Sequence, residues 1–510
     1  MKIKSASRAL IIWFSIGVLL CVFTLGGAIG TRKTAAAEET NFVESSLRSE
    51  EFLLSGWRLY YDYDFKSFEE QTQDLVDAGM NWIMWAYPWE DKNGNTNPVP
   101  DTLEEWSEID RLYGEMGLKY MIKRGTSAST DRVEKYLEIL PYLENCEFLY
   151  LADEPSGSAL AGCASYLQTL VEAYPEICPY VNLYPSYAGR GILGGSYYDY
   201  VRSWVTKAGS ENLEYLSFDF YPFRDGDNLY EPSFFSDLEV IRMVAYENGK
   251  IKTSGFVQTG SWMGTRRPDA KEIRWQMNAM LAYGFKALNH FCWVSPYPGN
   301  ESMNDDFPIS RVGNKSEYYE DIVDTNWVVR SMGNVLMNYD CSAAYHTDTS
   351  VSIGDAMPKS FAFLSEEGGD LIFSNFVSKD GADNQIMIFN KSLTTAYTDK
   401  ITINALSNVG KVEQFCKAEG RNTDYDYQNV DIENGYFDVD IQPGEAVLFK
   451  LTAKQAQPAE DEPVTEQPTP DSEEPSAKSG CGAAVTVRVG GIALLLTAAT
   501  LILLKKEIGC

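Results

Sequence analysis

Carboxylates and aromatic rings recur together along this chain at positions where they could do chemistry. Asp153 and Glu154 stand side by side in LYLADEPSG, and Asp219 stands in LSFDFYPF. With them come Trp85, Tyr87 and Trp89, the basic pair Lys123 and Arg124, then Asn182, Tyr184, Tyr221, Gln258, Trp262, His290 and Trp293. Cleaving a glycosidic bond takes one carboxylic acid to protonate the leaving oxygen and another carboxylate to attack the anomeric carbon or activate water. Ring faces stack on the C–H faces of sugars, while amides and carboxylates hydrogen-bond to hydroxyls. The set therefore points to a carbohydrate substrate. Each member also has a plainer role. A strand-end Asp or Glu can cap the next helix, and Trp85, Trp89 and Trp262 can be core. Tyr184 and Tyr221 can pack the fold, and Lys123 and Arg124 can pair with nearby carboxylates. His290, alone on an apolar strand, reads as a hydrogen-bonded core or rim histidine. The combination carries more than any one residue.

Composition narrows the chemistry. The chain has 510 residues, a net charge of −30, 13% aromatics, nine Cys and only two His. The acidity excludes a general nucleic-acid binder, which needs a basic footprint. Two histidines leave little room for a zinc centre or a Ser-His-Asp triad. No EF-hand spacing and no GxGxxG after the first strand are present, so neither a metal nor a dinucleotide cofactor is expected. The cysteines show no CxxC; those in the middle of the chain read mostly as buried free thiols, with room for a disulfide or two.

The elements that must position these residues follow from hydrophobic patterning. Eight short apolar runs read as buried strands: 52–61, 80–87, 118–123, 147–152, 179–184, 214–221, 252–258 and 286–293. Helix signals separate them. Ser67-x-x-Glu70 and Thr102-x-x-Glu105 are capping boxes, Asp269 caps 270–284, and Gly79, Gly117, Gly249 and Gly284 close helices. Further helices are expected over 131–144, 159–174, 232–248 and 316–337. Eight such units predict an α/β fold, a (β/α)8 TIM barrel over 45–340, with its chemistry at the strand C-terminal ends. Residues 345–452 carry short strands joined by Gly368-Gly369, Asp380-Gly381, Asn434-Gly435 and Pro443-Gly444, which predicts a small all-β sandwich.

The two ends read as targeting segments. Residues 1–37 hold a basic start, an apolar run and Ala35-Ala36-Ala37, the pattern of a signal peptide. Residues 453–480 form an acidic, Pro-rich stalk, and 481–510 a C-terminal membrane anchor ending near Lys505-Lys506. Residues 1–37 carry +5, the stalk −5 and the tail +2, which leaves −32 on 38–452. The expectation is an extracellular protein tethered to the cell envelope, in the manner of Gram-positive surface proteins, with no protein partner.

LYLADEPSG, LSFDFYPF and RWQMNAMLAYGFKALNHFCW, in their positions after strand four, on strand six and into strand eight, resemble the clan A glycoside hydrolases. The nearest type is the family 42 β-galactosidase barrel, and IQPGEAVLFKL resembles the β-domains that follow such barrels. The resemblance implies that Glu154 is the general acid/base and that Asp153 replaces an Asn that binds the sugar 2-hydroxyl. At the end of strand seven, Gln258 stands where the nucleophilic Glu would be, and an amide cannot form a glycosyl ester. Two routes stay open. Strands four and six lie two apart, roughly 9–10 Å, so Glu154 as acid with Asp219 or Asp153 as base would suit the ~6.5–9.5 Å gap of an inverting hydrolase. Otherwise the register of strand seven is shifted, or a loop carboxylate serves. The alternative to an enzyme is a catalytically inactive carbohydrate-binding protein on the same barrel.

Overall fold

The computed structural model describes residues 50–61, 65–87, 100, 102–123, 137–298, 302–348, 353–365, 369–381, 383–417 and 425–454. Trp89, Arg124, the segments read as leader and anchor, and the stalk from residue 455 on lie outside these residues. Among the described residues no helix is long and apolar enough to cross a membrane.

Eight parallel strands form the first body: β1 (Leu53–Trp57), β2 (Trp82–Ile83), β3 (Lys119–Lys123), β4 (Cys146–Asp153), β5 (Cys178–Leu183), β6 (Tyr215–Asp219), β7 (Lys252–Gln258) and β8 (Ala287–Phe291). Each pairs with its sequence neighbour from β2 through β8, and β8 pairs with β1. The seam between β1 and β2 lacks a ladder, but three hydrogen bonds close it. Asn81 N–H donates to Leu54 O (3.1 Å), Leu54 N–H to Asn81 Oδ1 (2.9 Å), and Met84 N–H to Ser55 Oγ (3.0 Å). The sheet is therefore a (β/α)8 barrel, and the next segment folds as an all-β domain, as the patterning predicts.

The helices stand where their caps place them. Ser67, Thr102 and Asp269 all complete capping boxes, starting α1 (Phe68–Asp77), α2 (Leu103–Glu115) and, later in the chain, the helix Ala270–Ala282. Between the last two run α3 (Leu160–Ala173), α4 (Tyr197–Ala208) and α5 (Glu231–Glu247). Ala270–Ala282 is then α6, and α7 (Tyr319–Leu336) ends the barrel. Helix α4 was not expected from patterning, although Ser196 Oγ caps it by accepting from Asp199 N–H (3.1 Å). Of the helix expected over 131–144, the described part is a short turn ending in the 3-10 segment Leu140–Tyr142.

The all-β domain has two antiparallel sheets. In chain order its strands are β9 (Tyr339–His346), β10 (Phe363–Ser365), β11 (Leu371–Ser378), β12 (Asn384–Asn390), β13 (Tyr397–Ile403), β14 (Val409–Lys417), β15 (Tyr425–Asn429), β16 (Tyr436–Ile441) and β17 (Ala446–Ala453). One sheet runs β9-β11-β12-β17-β14-β15 and the other β10-β13-β16. Phe363, Phe373, Ile388, Phe437 and Phe449 fill the space between them. The domain is fastened to the barrel through α6. Trp275, fully buried, packs on Phe234, Phe235 and Phe389 and donates from Nε1 to Lys391 O (2.8 Å). The Pro443-Gly444 turn presses on the same helix. A Cβ on Gly444 would fall 3.0 Å from Trp275 Cβ, and Asn278 Nδ2 donates to Gly444 O (2.9 Å). All six cysteines between 146 and 416 are free thiols.

Trp275→Ala should lower stability by about 3–5 kcal/mol, because it removes both the ring contacts and the Lys391 bond. Urea unfolding of the variant checks this, and a change below about 1 kcal/mol would show that the two bodies do not depend on this joint.

Candidate active site

Period-two alternation sends one set of side chains into the barrel lumen. Leu53, Trp82, Phe148, Cys178, Tyr215 and Ala287 belong to the apolar cluster at the lower end. Above them the lumen turns polar. Asn289 Nδ2 donates to Ser254 Oγ (3.2 Å), and Tyr180 OH bridges Ser254 Oγ (2.6 Å) and Ser217 Oγ (2.8 Å). Ser217 Oγ donates to Asn182 Oδ1 (3.1 Å), and Asn182 Nδ2 reaches Asp153 Oδ1 (3.5 Å). Tyr150 OH donates to the same Asp153 oxygen (2.7 Å). One connected chain of side chains thus runs from β8 to the end of β4.

A β-bulge aims Asp153 into the lumen. Tyr150 pairs with Tyr180, but the register then shifts, so that Asp153 rather than Ala152 stands opposite Asn182. Glu154 follows with φ 47°, a left-handed backbone seldom adopted by residues with a side chain. It is pinned there: its N–H donates to Asn182 O (2.9 Å), and the next residue's carbonyl, Pro155 O, accepts from Tyr200 OH (2.7 Å). Strain held by surrounding bonds at a strand end is a mark of functional sites.

Asp153, Glu154 and Asp219 line one cleft of about 570 Å³ at the strand C-terminal ends. Trp57, Trp85, Tyr221, Trp262 and Phe291 supply its aromatic walls, with Asn182, Lys123, Arg58 and Arg224 among them. Tyr187 and Tyr297 stand at the rim, each about two-fifths exposed. Asp219 is nearly buried, and its Oδ1 is sealed from solvent without a hydrogen-bond partner. Burial, reinforced by the neighbouring charge of Asp153, pushes its carboxyl up to about 7; Tyr221 and Asn182 oppose the rise. Lys123 is 6% exposed and sits on ring faces rather than in an ion pair. Its Nζ lies 3.7 Å from the Trp57 ring centre, 4.1 Å from that of Trp85 and 5.0 Å from that of Tyr150. Burial pushes its ammonium down to about 7, with Asp153 opposing and Arg58 adding to the fall.

Of the expected residues, the cleft gathers Asp153, Glu154, Asp219, Trp85, Lys123, Asn182, Tyr221 and Trp262. Tyr184 is half-buried beside it, close enough for the three carboxylates to raise its hydroxyl after burial does so. Five expectations are corrected. Gln258 is fully buried and bound into the loops. Its Nε2 donates to Phe223 O (3.0 Å) and Arg266 O (2.8 Å), and its Oε1 accepts from Phe223 N–H (3.0 Å), which leaves nothing for a ligand. His290 points out of the barrel, because Ala287, Asn289 and Phe291 take the inward positions. Its Nε2 bonds to Asn326 Oδ1 (2.8 Å), and burial pushes the ring down to about 4. Trp293 is fully buried against His290 and Tyr319, and Tyr87 packs on Trp106 in the helix–strand shell. The expected pairing of Lys123 with a carboxylate is likewise replaced by its aromatic seat.

Trp57, Arg58, Tyr187, Arg224 and Phe291 were missed. The first strand ends at Trp57 and the last at Phe291, earlier than their apolar runs suggest. Alternation counted back along those runs would have placed both rings inward. Arg224 comes from a short ribbon after β6, where Phe223–Arg224 pairs with Asn228–Leu229, and patterning gives no sign of it. Among the described residues no group of His, Cys, Asp and Glu is arranged to hold a metal ion.

No protein-family model matches the sequence, and no curated protein does. Solved structures are similar at low identity. A glycoside hydrolase family 30 endoxylanase from Clostridium papyrosolvens shares 9% identity at a TM-score of 0.41, over 80% of this chain and 98% of its own. A family 51 α-L-arabinofuranosidase from Bifidobacterium longum shares 12% at 0.43, over 79% and 95%. A structure described as a glycoside hydrolase shares 12% at 0.47, over 81% and 97%.

The environment of Asp219 has a measurable sign. Its carboxyl titrates near 7 when folded and near 3.8 otherwise, so between those values the native state holds the extra proton. Its contribution is present in acid and is lost as pH rises through about 7. Asp219→Asn should flatten that loss and, at pH 8, exceed the parent in stability by roughly 2–4 kcal/mol. Urea unfolding at pH 5 and pH 8 checks it; identical pH dependence in both proteins would mean that Asp219 is charged in the fold.

Proposed function

We propose that this chain is a glycoside hydrolase that cleaves O-glycosidic bonds of oligo- or polysaccharides with carboxyl groups alone. The observation that carries this reading is the meeting of Asp153, Glu154 and Asp219 in one aromatic-walled cleft at the strand C-terminal ends. Asp219, whose surroundings favour the neutral acid near pH 7, is the proton donor to the leaving oxygen. Glu154, on its strained backbone, is the carboxylate that activates water, and Asp153 holds a sugar hydroxyl while keeping Asp219 protonated. This exchanges the roles that the clan A resemblance implies for Glu154. The commitment of Gln258 to the loops supports a single displacement with inversion, since that strand end offers no nucleophile. β-Galactosides are the first substrates to try, on the family 42 resemblance. The basic, apolar start and the apolar tail support export and tethering outside the cell.

A second reading rests on Gln258: a protein that binds glycans on this barrel without cleaving them. Substitution and product analysis separate the two. Glu154→Gln and Asp219→Asn should each lower turnover by about 10²–10⁴ with folding intact by circular dichroism. NMR of the first-formed sugar should show the inverted anomer, and activity should fall as pH rises through about 7, where Asp219 loses its proton. Tight glycan binding by calorimetry with no turnover across a broad panel would favour the binding protein instead.

A further inference from the structure

Lys123 is a cleft cation whose hydrogen-bonding the described residues leave unmet. Its side chain is 6% exposed and lines the cleft. Three ring faces surround Nζ, from Trp57, Trp85 and Tyr150. They favour its positive charge but accept no strong hydrogen bond, and among the described residues Nζ has neither a hydrogen-bond acceptor nor a carboxylate within ion-pair distance. Several other buried or half-buried cations of the barrel have a carboxylate or carbonyl partner. Arg242 pairs with Glu239, Arg266 with Glu272 and Lys252 with Glu214, each at 2.6 Å, and Lys286 donates to the carbonyls of Leu336 and Tyr339. An ammonium carries three donors, and burying them without an acceptor is costly. Arg58, also a cleft residue, lies over the Trp85 ring (5.8 Å), near enough for the two positive charges to repel. A strongly acidic chain has thus placed two cations around one tryptophan on the wall of its cleft.

We propose that Lys123 and Arg58 form a subsite for an anionic substituent of the sugar, the carboxylate of a uronic acid residue. The proposal deepens the glycosidase reading and depends on it only for the ligand being a glycan. A carboxylate there would accept from Nζ and offset the repulsion between the two cations. The neighbouring rings would pack on the sugar's C–H face.

Three ligands test it on the full chain, followed by calorimetry and by the fluorescence of the adjacent tryptophans. They are an oligouronide, its carboxyl-reduced neutral counterpart and a sulfated neutral oligosaccharide. The oligouronide should bind at least about tenfold tighter than the reduced form, and the preference should shrink with added salt. Lys123→Met, which keeps the volume, should abolish the preference, Lys123→Arg should restore part of it, and Arg58→Gln should weaken it. Thermal unfolding checks that each variant is folded. Equal binding of charged and reduced ligands, preference for the sulfated one, or an unaltered preference in folded Lys123→Met would overturn the proposal. Binding of the oligouronide through Lys123 with no hydrolysis would uphold the subsite and defeat the hydrolase reading. Hydrolysis of neutral glycans without that preference would do the reverse.

Discussion

Polar groups inside a barrel have no water to turn to, so they must satisfy one another. Here that constraint produces a single hydrogen-bonded path across the lumen: Asn289, Ser254, Tyr180, Ser217, Asn182 and finally Asp153. The path takes residues from five strands, β4 to β8, that are far apart in the chain. It fixes the rotamer of Asn182, and with it the floor on which Asp153 and Asp219 converge. Tyr150 completes the arrangement by donating to Asp153 from below. Were the ladder between β4 and β5 regular, Ala152 would face Asn182 and the path would end short of a carboxylate. The bulge is therefore as much a part of the site as the acids themselves.

The cleft sets the solvent-facing carboxylate of Asp153 beside two buried groups, Asp219 and Lys123. Asp153 raises the carboxyl of Asp219 and at the same time steadies Lys123. One group thereby tunes an acid and a base on two sides of the lumen. Gln258 explains what the cleft lacks. Its alternation matches Ser254 and Phe256, but the strand stops there, and the amide is captured by the backbone of Phe223 and Arg266. An uncharged side chain suits that location, since a carboxylate would meet the carbonyls of Phe223 and Arg266 with no donor in return for the two N–H groups lost.

Much of the fold was legible because parallel strands buried on both faces leave apolar runs that need no partner to be recognised. All eight were found, and Ser67, Thr102 and Asp269 announced their helices through local hydrogen bonds. The sandwich was read less completely. Leu371–Ser378 and Asn384–Asn390 are largely buried and carry apolar runs, whereas Val409–Lys417 is buried only at Val412 and Tyr425–Asn429 nowhere, and neither carries an apolar run. Helix α4 begins with YYDY, residues of modest helix preference, so beyond the Ser196 cap it rests on the tertiary packing of Tyr200, Val201 and Trp204.

The same division holds at the site. Sequence alone determined the barrel and the place of the three acids at its strand ends, because residue type and place at a strand end depend on local pattern. It could not determine which way the last residues of each strand face. A run such as FLLSGWRLYY reads as one strand, yet its ladder ends at Trp57, and from Arg58 on the chain turns with φ 55°. His290, Trp293 and Gln258 share composition with cleft residues but face the shell or the loops. That outcome rests on the bulge in β4, on barrel closure and on competition among buried polar atoms for partners. All three are contacts between distant segments, and only the assembled barrel brings them together.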